Sequence, residues 1–203
     1  MPKVSQAHLA ARRQQILAAA MECFSREGFH WTTMQDIVRQ AGLSPGAIYS
    51  YFKSKEEIIA AIADERHTRE RAMIQAARNQ TSAEATLRAL VYAFFGMLGD
   101  AEERTQRRLN IQIWAEALRN PQLHRIVRAG IDEPRAMLAE LIVAAQRRGE
   151  LPPHLAPDAL ARVMIALFQG FVLQRAWDDQ ADVASYMEVI ETLLHGMTRG
   201  QRE

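Results

Sequence analysis

Apolar positions recur along this chain at helical spacing, and the breaks between the runs carry helix-terminating chemistry. Over residues 10–27, Ile16, Ala20 and Phe24, with Leu17 and Met21, fall four apart and form one stripe. Cys23 lies beside that stripe as a small buried hydrophobe, and Gly28 follows as a C′ residue. Thr33-Met34-Gln35-Asp36 reads as a capping box opening a short helix with Met34, Ile37, Val38 and Ala41 inward, broken by Gly42. Ser44-Pro45 is an N-cap followed by a first-turn proline, so a third short helix is expected over about 45–52. Ser54 with Glu57 forms a second capping box and starts a connector helix over 54–78, apolar at Ile58, Ile59 and Ile62 and densely charged over 64–71.

From about residue 82 the pattern stays helical. Runs over 83–99, 102–119, 121–148, 157–177 and 182–197 are separated by short polar or Pro/Gly breaks, of which 149–153 is the clearest. Pro134 is expected to kink or interrupt the 121–148 run. The predicted fold is all-α with about nine helices. A three-helix head spans 1–55, and a larger helical body spans 56–203, entered through the connector.

Composition adds little to the fold and something to the partner. Hydrophobic residues are 48%, charged residues 24% and aromatics 7%, ordinary for a soluble helical protein. The net charge of +1 conceals an asymmetry. Residues 1–55 hold seven basic side chains (Lys3, Arg12, Arg13, Arg26, Arg39, Lys53, Lys55) against three acids, whereas the remainder is net −3. A basic head fits a polyanion; it also fits an ordinary solvated surface. One cysteine precludes an internal disulfide, no uninterrupted apolar run approaches about 18 residues, and residues 1–10 lack a secretory signal pattern. A reducing cytoplasm and no membrane association are expected.

Two short helices joined by a three-residue turn containing glycine make a helix-turn-helix. The residues that compose it, Thr32-Thr33-Met34-Gln35-Asp36-Ile37 and then Ala41 through Glu57 (AGLSPGAIYSYFKSKEE), with Ile16 to Ala20, Phe24, Gly28 and Phe29 upstream, resemble the head of the TetR/AcrR family of bacterial transcriptional regulators. The resemblance implies a homodimer that binds double-stranded operator DNA through the head and a small-molecule effector through the body. It also implies that Tyr49 and Lys55 touch the DNA backbone.

The residues support a DNA-facing reading in their own terms. A recognition helix needs small or polar side chains so that its backbone can approach the major-groove floor. Pro45, Gly46, Ala47 and Ser50 are of that kind. Tyr49 and Tyr51 can each donate a hydroxyl to phosphate or pack inward beside Ile48 and Phe52. Lys53 and Lys55 supply charge, while Thr33 and Ser44 stand at helix N-termini that favour phosphate. The third helix has no Arg, Asn or Gln for bidentate base contacts; Gln35 and Arg39 on the second helix can assist.

For the body, the last two helices are the expected dimer interface, with Leu160, Leu167, Phe171, Val189, Leu193 and Leu194 as candidates. The 157–177 helix equally suits a buried central position. Phe94, Phe95, Met97, Trp114, Met137, Phe168 and Gln169 are candidates for an effector pocket or plain core. The six histidines form no metal-binding pair, Cys23 has no nucleophile context and no glycine-rich phosphate loop occurs, so neither catalysis nor a metal or other cofactor is expected. Repression is the commoner habit of the family; activation, or a helical binding protein without DNA affinity, are the alternatives.

Overall fold

The computed structural model describes residues 6–96, 98, 101–178 and 180–199, with the side chains of 101–106 and 197–199 outside that description. Among the described residues are nine α-helices and no strand: α1 Gln6–Glu27, α2 Met34–Ala41, α3 Pro45–Tyr51, α4 Lys55–Ala77, α5 Ala83–Gly96, α6 Ala101–Ala117, α7 Pro121–Arg147, α8 Pro157–Trp177 and α9 Val183–Arg199. The first turn of α1 precedes the apolar stripe because it is exposed and buries nothing that periodicity could register. Pro134 sits inside α7 without ending it. The carbonyl that its ring crowds, four residues back, belongs to Gly130, whose backbone adjusts most freely.

The chain divides into two compact units. The first runs to Arg66 and includes Arg108–Val127; the second comprises His67–Arg107 and the chain from Arg128 onward. The first unit is therefore larger than the head expected over 1–55. Ile58, Ile59 and Ala61 of α4, Leu109, Ile113 and Ala117 of α6, and Leu123 of α7 join one buried cluster with Ile16, Phe24, Ile37, Ile48 and Phe52. Helices α1, α2 and α3 alone could not bury that much apolar surface. Helices α4, α6 and α7 each contribute residues to both units.

Local chemistry sets the helix ends in the first unit. Gly28 adopts φ 83° and its amide donates to the Phe24 carbonyl at 2.8 Å, ending α1. The Thr33 hydroxyl accepts the Asp36 amide at 3.2 Å, and the Asp36 carboxylate accepts the Thr33 amide at 2.8 Å, completing the expected capping box. Gly42, at φ 64°, caps the other end through the Arg39 carbonyl. Ser44 accepts the Ala47 amide at 3.2 Å with Pro45 in the first turn of α3. At α4, Ser54 accepts the Glu57 amide at 3.2 Å, but Glu57 reaches back to the Lys53 amide at 2.6 Å, one residue before the cap.

In the second unit, Ile74, Leu90, Leu138, Ile142, Leu151 and Ala161 form the main cluster. Phe94, Phe95, Phe168, Phe171 and Tyr186 form an aromatic group with ring centroids 4.2–5.7 Å apart. Salt bridges Arg71–Glu133 (2.9 Å) and Arg135–Asp158 (2.9 Å) tie α7 to α4 and α8. Helix α8 is, among the described residues, long and apolar enough by length and mean hydropathy to cross a bilayer, though Arg162 and Gln169 interrupt it. Only Ala161, Phe171 and Val172 of its residues are buried.

Two stability predictions follow from these contacts. A Cβ built on Gly130 would lie 2.8 Å from Cε1 of the buried His67 ring and closer still to Nε2. Gly130→Ala gains up to about 1 kcal/mol of helix propensity, and the forced displacement costs about 1–3 kcal/mol. A lower urea midpoint for the variant is expected. Asp36 is held at about 2, below its ordinary 3.8, by hydrogen bonds from the Thr33 hydroxyl and amide and from Arg39. A depressed carboxyl stabilises the fold above its unfolded pKa, and that stabilisation fades as pH falls through about 2. Asp36→Ala should unfold at lower urea than wild type at pH 6, with the two midpoints converging as pH falls from 4 towards 2.

Candidate nucleic-acid interface

Helix α3 is positioned by its inward residues. Ile48 is fully buried and Phe52, its C-cap, is 6% exposed, so the opposite side of one short helix is fixed outward. Pro45, Gly46, Tyr49 and Ser50 are exposed and Ala47 partly so. The Ser50 hydroxyl donates to the Ala47 carbonyl at 2.6 Å, which presents its remaining lone pairs outward along the helix surface. The two tyrosines separate: Tyr49 is 41% exposed, whereas Tyr51 is half-buried against the core. Tyr51 lies on the flank shared with Ile48 and Phe52 and packs part of its side chain against the core.

Helix α2 presents Gln35 and Arg39 on its exposed side. The Arg39 guanidinium is paired with Asp36. Thr33 is exposed, but its hydroxyl donates to the Asp36 carboxylate at 2.5 Å while accepting the Asp36 amide. The first-turn amides of Met34 and Gln35 have no intrahelical acceptor and remain directed off the N-terminus. A phosphate there would meet those amides rather than a free Thr33 hydroxyl. Ser44 is exposed at the start of α3, with its oxygen engaged by the Ala47 amide.

The two lysines differ in kind. Lys53 is exposed and its ammonium reaches one carbonyl, that of Tyr49, leaving further protons for solvent or phosphate. Lys55 is half-buried. Its ammonium donates to the carbonyls of Phe29 (2.7 Å), His30 (3.0 Å) and Thr32 (3.1 Å) and lies 4.5 Å from the centroid of the Phe29 ring. The ammonium thus reaches three backbone carbonyls of the loop between α1 and α2 and keeps its positive charge. The sequence reading also passed over Trp31, which is 77% exposed beside His30, ring centroids 5.2 Å apart. Trp31 stands two residues before the Thr33 cap, outside any periodic helical run, so its pattern gave no signal of exposure.

In the second unit a cavity of about 210 Å³ is lined by Arg78, Thr86, Leu90, Leu141, Arg148 and Met164, among others. None of Phe94, Phe95, Trp114, Met137, Phe168 and Gln169 lines it; Met97 lies outside the described residues. Phe94, Phe95 and Phe168 are spent on one another in the aromatic group, Met137 packs against the main cluster and Trp114 belongs to the first unit. Of the interface candidates, Val189 (59%) and Leu193 (57%) are exposed and Leu160 and Leu167 half-buried. Phe171 and Leu194 face inward, Phe171 stacked on Tyr186 at 4.2 Å. Val163 and Trp177, not singled out from sequence, are exposed on α8.

Comparison with known proteins agrees with this arrangement. Residues 16–62 match the family model of bacterial regulatory proteins of the tetR family, and residues 83–199 match that of the BetI-type transcriptional repressor C-terminal domain. The HTH-type transcriptional regulator UidR of Escherichia coli K12 is 29% identical over 189 residues, covering 91% of this chain and 92% of that protein. The HTH-type transcriptional regulator BetI of Escherichia coli O157:H7 is 28% identical over 204 residues, covering 98% and 95%. The solved structure of Salmonella enterica GusR superposes with a TM-score of 0.80 at 27% identity, covering 97% of this chain and 99% of that one. With its exposed α3 face and the second of these models spanning more than half its length, this chain belongs to the TetR family of bacterial transcriptional regulators.

Proposed function

We propose that the chain is a cytoplasmic, non-catalytic repressor that binds an inverted-repeat operator as a homodimer and leaves it when a small, largely apolar effector occupies the second unit. The observation that carries the DNA-binding part is the outward face of α3. Small residues Pro45, Gly46, Ala47 and Ser50 let the backbone approach the major-groove floor. Tyr49 and Lys53 flank them as phosphate contacts, and Ile48 and Phe52 hold the helix from behind. Gln35 on α2 and the free amides of its first turn are placed to add contacts. With no long hydrogen-bonding side chain on α3, specificity rests on close packing against thymine methyls and on duplex shape.

Dimerisation is supported by what α8 and α9 leave uncovered. Val163, Trp177, Val189 and Leu193 are each more than half exposed, which a monomer in water disfavours. A second copy seated on this apolar surface explains why a helix of bilayer-like composition occurs in a regulator, and two copies present two α3 helices for two half-sites. The 210 Å³ cavity, with apolar walls and the Arg78–Glu140 pair at its edge, is the effector site in this reading. Effector action requires only that the molecule bind more tightly to a conformation unsuited to the operator. Helices α4, α6 and α7 contribute residues to both units and so give that coupling a covalent route.

Selection of duplexes from a random-sequence pool should return an inverted repeat with half-site centres about one helical turn apart, or a multiple of it. On that duplex, Lys53→Gln should lower the slope of log K against log salt by about 0.9. Tyr49→Phe should weaken binding several-fold with the slope nearly unchanged. A random pool yielding no enriched sequence would reject the reading. For the interface, Val189→Glu with Leu193→Glu should convert a dimer into a 23.0 kDa monomer by light scattering, with loss of cooperative operator binding.

A further inference from the structure

Trp31 is held out of the core by a loop whose other members are fixed. Between α1 and α2, Phe29 and Thr32 are buried, at 3% and 1% exposure, while His30 and Trp31 between them are exposed, Trp31 at 77%. The Thr32 amide and hydroxyl both donate to the Gly28 carbonyl, at 3.2 and 2.8 Å. The Lys55 ammonium donates to the carbonyls of Phe29, His30 and Thr32 at 2.7–3.1 Å. With its backbone tied at these points, the loop cannot turn Trp31 inward without giving up those bonds. The His30 ring meets the indole edge to face, centroids 5.2 Å apart, and limits its rotation. A large apolar side chain fixed in water in this way has little left to lose in ordering when a partner arrives.

The charge around the indole names that partner. Lys55 reaches the same loop and retains its positive charge, and Lys53 lies two residues before it, with its ammonium on the Tyr49 carbonyl of α3. Trp31 stands two residues before the Thr33 cap, so the unpaired first-turn amides of Met34 and Gln35 follow it closely. The Asp36 carboxylate at this end is occupied by the Thr33 amide and by Arg39. An apolar ring framed by cations and free amides suits a polymer that alternates anionic and apolar surface. An apolar protein groove would strip water from those polar groups and return nothing to them. Along a duplex, each phosphate is followed by a deoxyribose whose C–H face accepts an aromatic ring. We propose that Trp31 packs on a deoxyribose of the operator backbone, beside the phosphate at the α2 N-terminus, and donates its indole N–H to a neighbouring phosphate oxygen. This rests on the reading of α2 and α3 as the DNA-facing elements. The contact reads no base; it fixes the register of those two helices on the duplex.

The test uses the full-length chain on the pool-selected duplex and on a scrambled duplex of the same length, in low-salt buffer. In a Trp114→Phe, Trp177→Phe background Trp31 is the one tryptophan left. Its quenching by acrylamide, a neutral quencher that DNA does not repel, should fall several-fold when the selected duplex binds. Trp31→Ala, at an exposed position, should keep the wild-type urea midpoint and weaken binding about fivefold on both duplexes, with the salt slope unchanged. At saturating protein, hydroxyl-radical cleavage should reappear in Trp31→Ala at one deoxyribose per half-site, while the rest of the footprint persists. Undiminished acrylamide quenching in the complex, wild-type affinity in Trp31→Ala, or a loss confined to the selected duplex, which marks a base contact, would each overturn the proposal. Lys53→Gln is measured alongside. If it lowers the salt slope by about 0.9 while Trp31 stays open to acrylamide, the Trp31 contact fails and the interface reading stands. An unchanged slope in Lys53→Gln counts against the interface reading, and the shielding of Trp31 still decides the contact.

Discussion

Two helices of eight and seven residues carry the surface that meets DNA, and neither is long enough to persist alone in water. Their existence depends on burial of Ile37 and Ile48 in a cluster that α1, α4, α6 and α7 complete. Removing apolar side chains of this size from water contributes about 1.5–3 kcal/mol each. The same burial orients them. With Ile48 and Phe52 inward, the faces bearing Tyr49, Ser50 and Gly46 have nowhere to go but outward. Stability and recognition in this unit are one constraint seen from two sides.

The polar groups of the unit are distributed between making that surface and using it. Thr33, Asp36, Ser44, Ser54 and Glu57 satisfy helix ends, and the Lys55 ammonium reaches three loop carbonyls. What remains uncommitted is sparse: the first-turn amides of α2, the Tyr49 hydroxyl, most of the Lys53 ammonium and the Gln35 amide. A surface of this kind contacts phosphates with few long side chains and approaches base edges closely, which makes it sensitive to duplex shape. Small displacements of α3 then matter, since α3 itself carries no arginine to take up the slack.

The sequence made the helices and their caps legible because both are local. Thr33-x-x-Asp36, Ser44-Pro45 and the glycines at 28 and 42 act within one turn, and each does in the fold what its chemistry requires. The outward face of α3 was legible for the same reason, apart from the division of labour between Tyr49 and Tyr51, which four-residue spacing alone leaves open. The carbonyls that the Lys55 ammonium reaches were not legible because they lie more than twenty residues away in sequence, at Phe29, His30 and Thr32.

The second unit was less legible, and the reason is the symmetry of its helices. Helix α8 is apolar on nearly every side, so periodicity names no inward stripe, and Phe171 and Val163 are indistinguishable as strings although one is 1% exposed and the other 55%. The aromatic residues that suggested a pocket are those best able to fill one. Phe94 and Phe95 each meet Phe168 edge to face, and a cavity of about 210 Å³ in the same unit is bounded by other residues, among them Thr86, Leu90, Ala145 and Met164. A cavity forms where side chains fail to meet, and aromatic rings, with the longest reach and strongest mutual attraction, are the least apt to leave one. Pocket prediction from sequence in such bundles should therefore weigh runs of small residues facing each other across helices above the large residues that draw attention first.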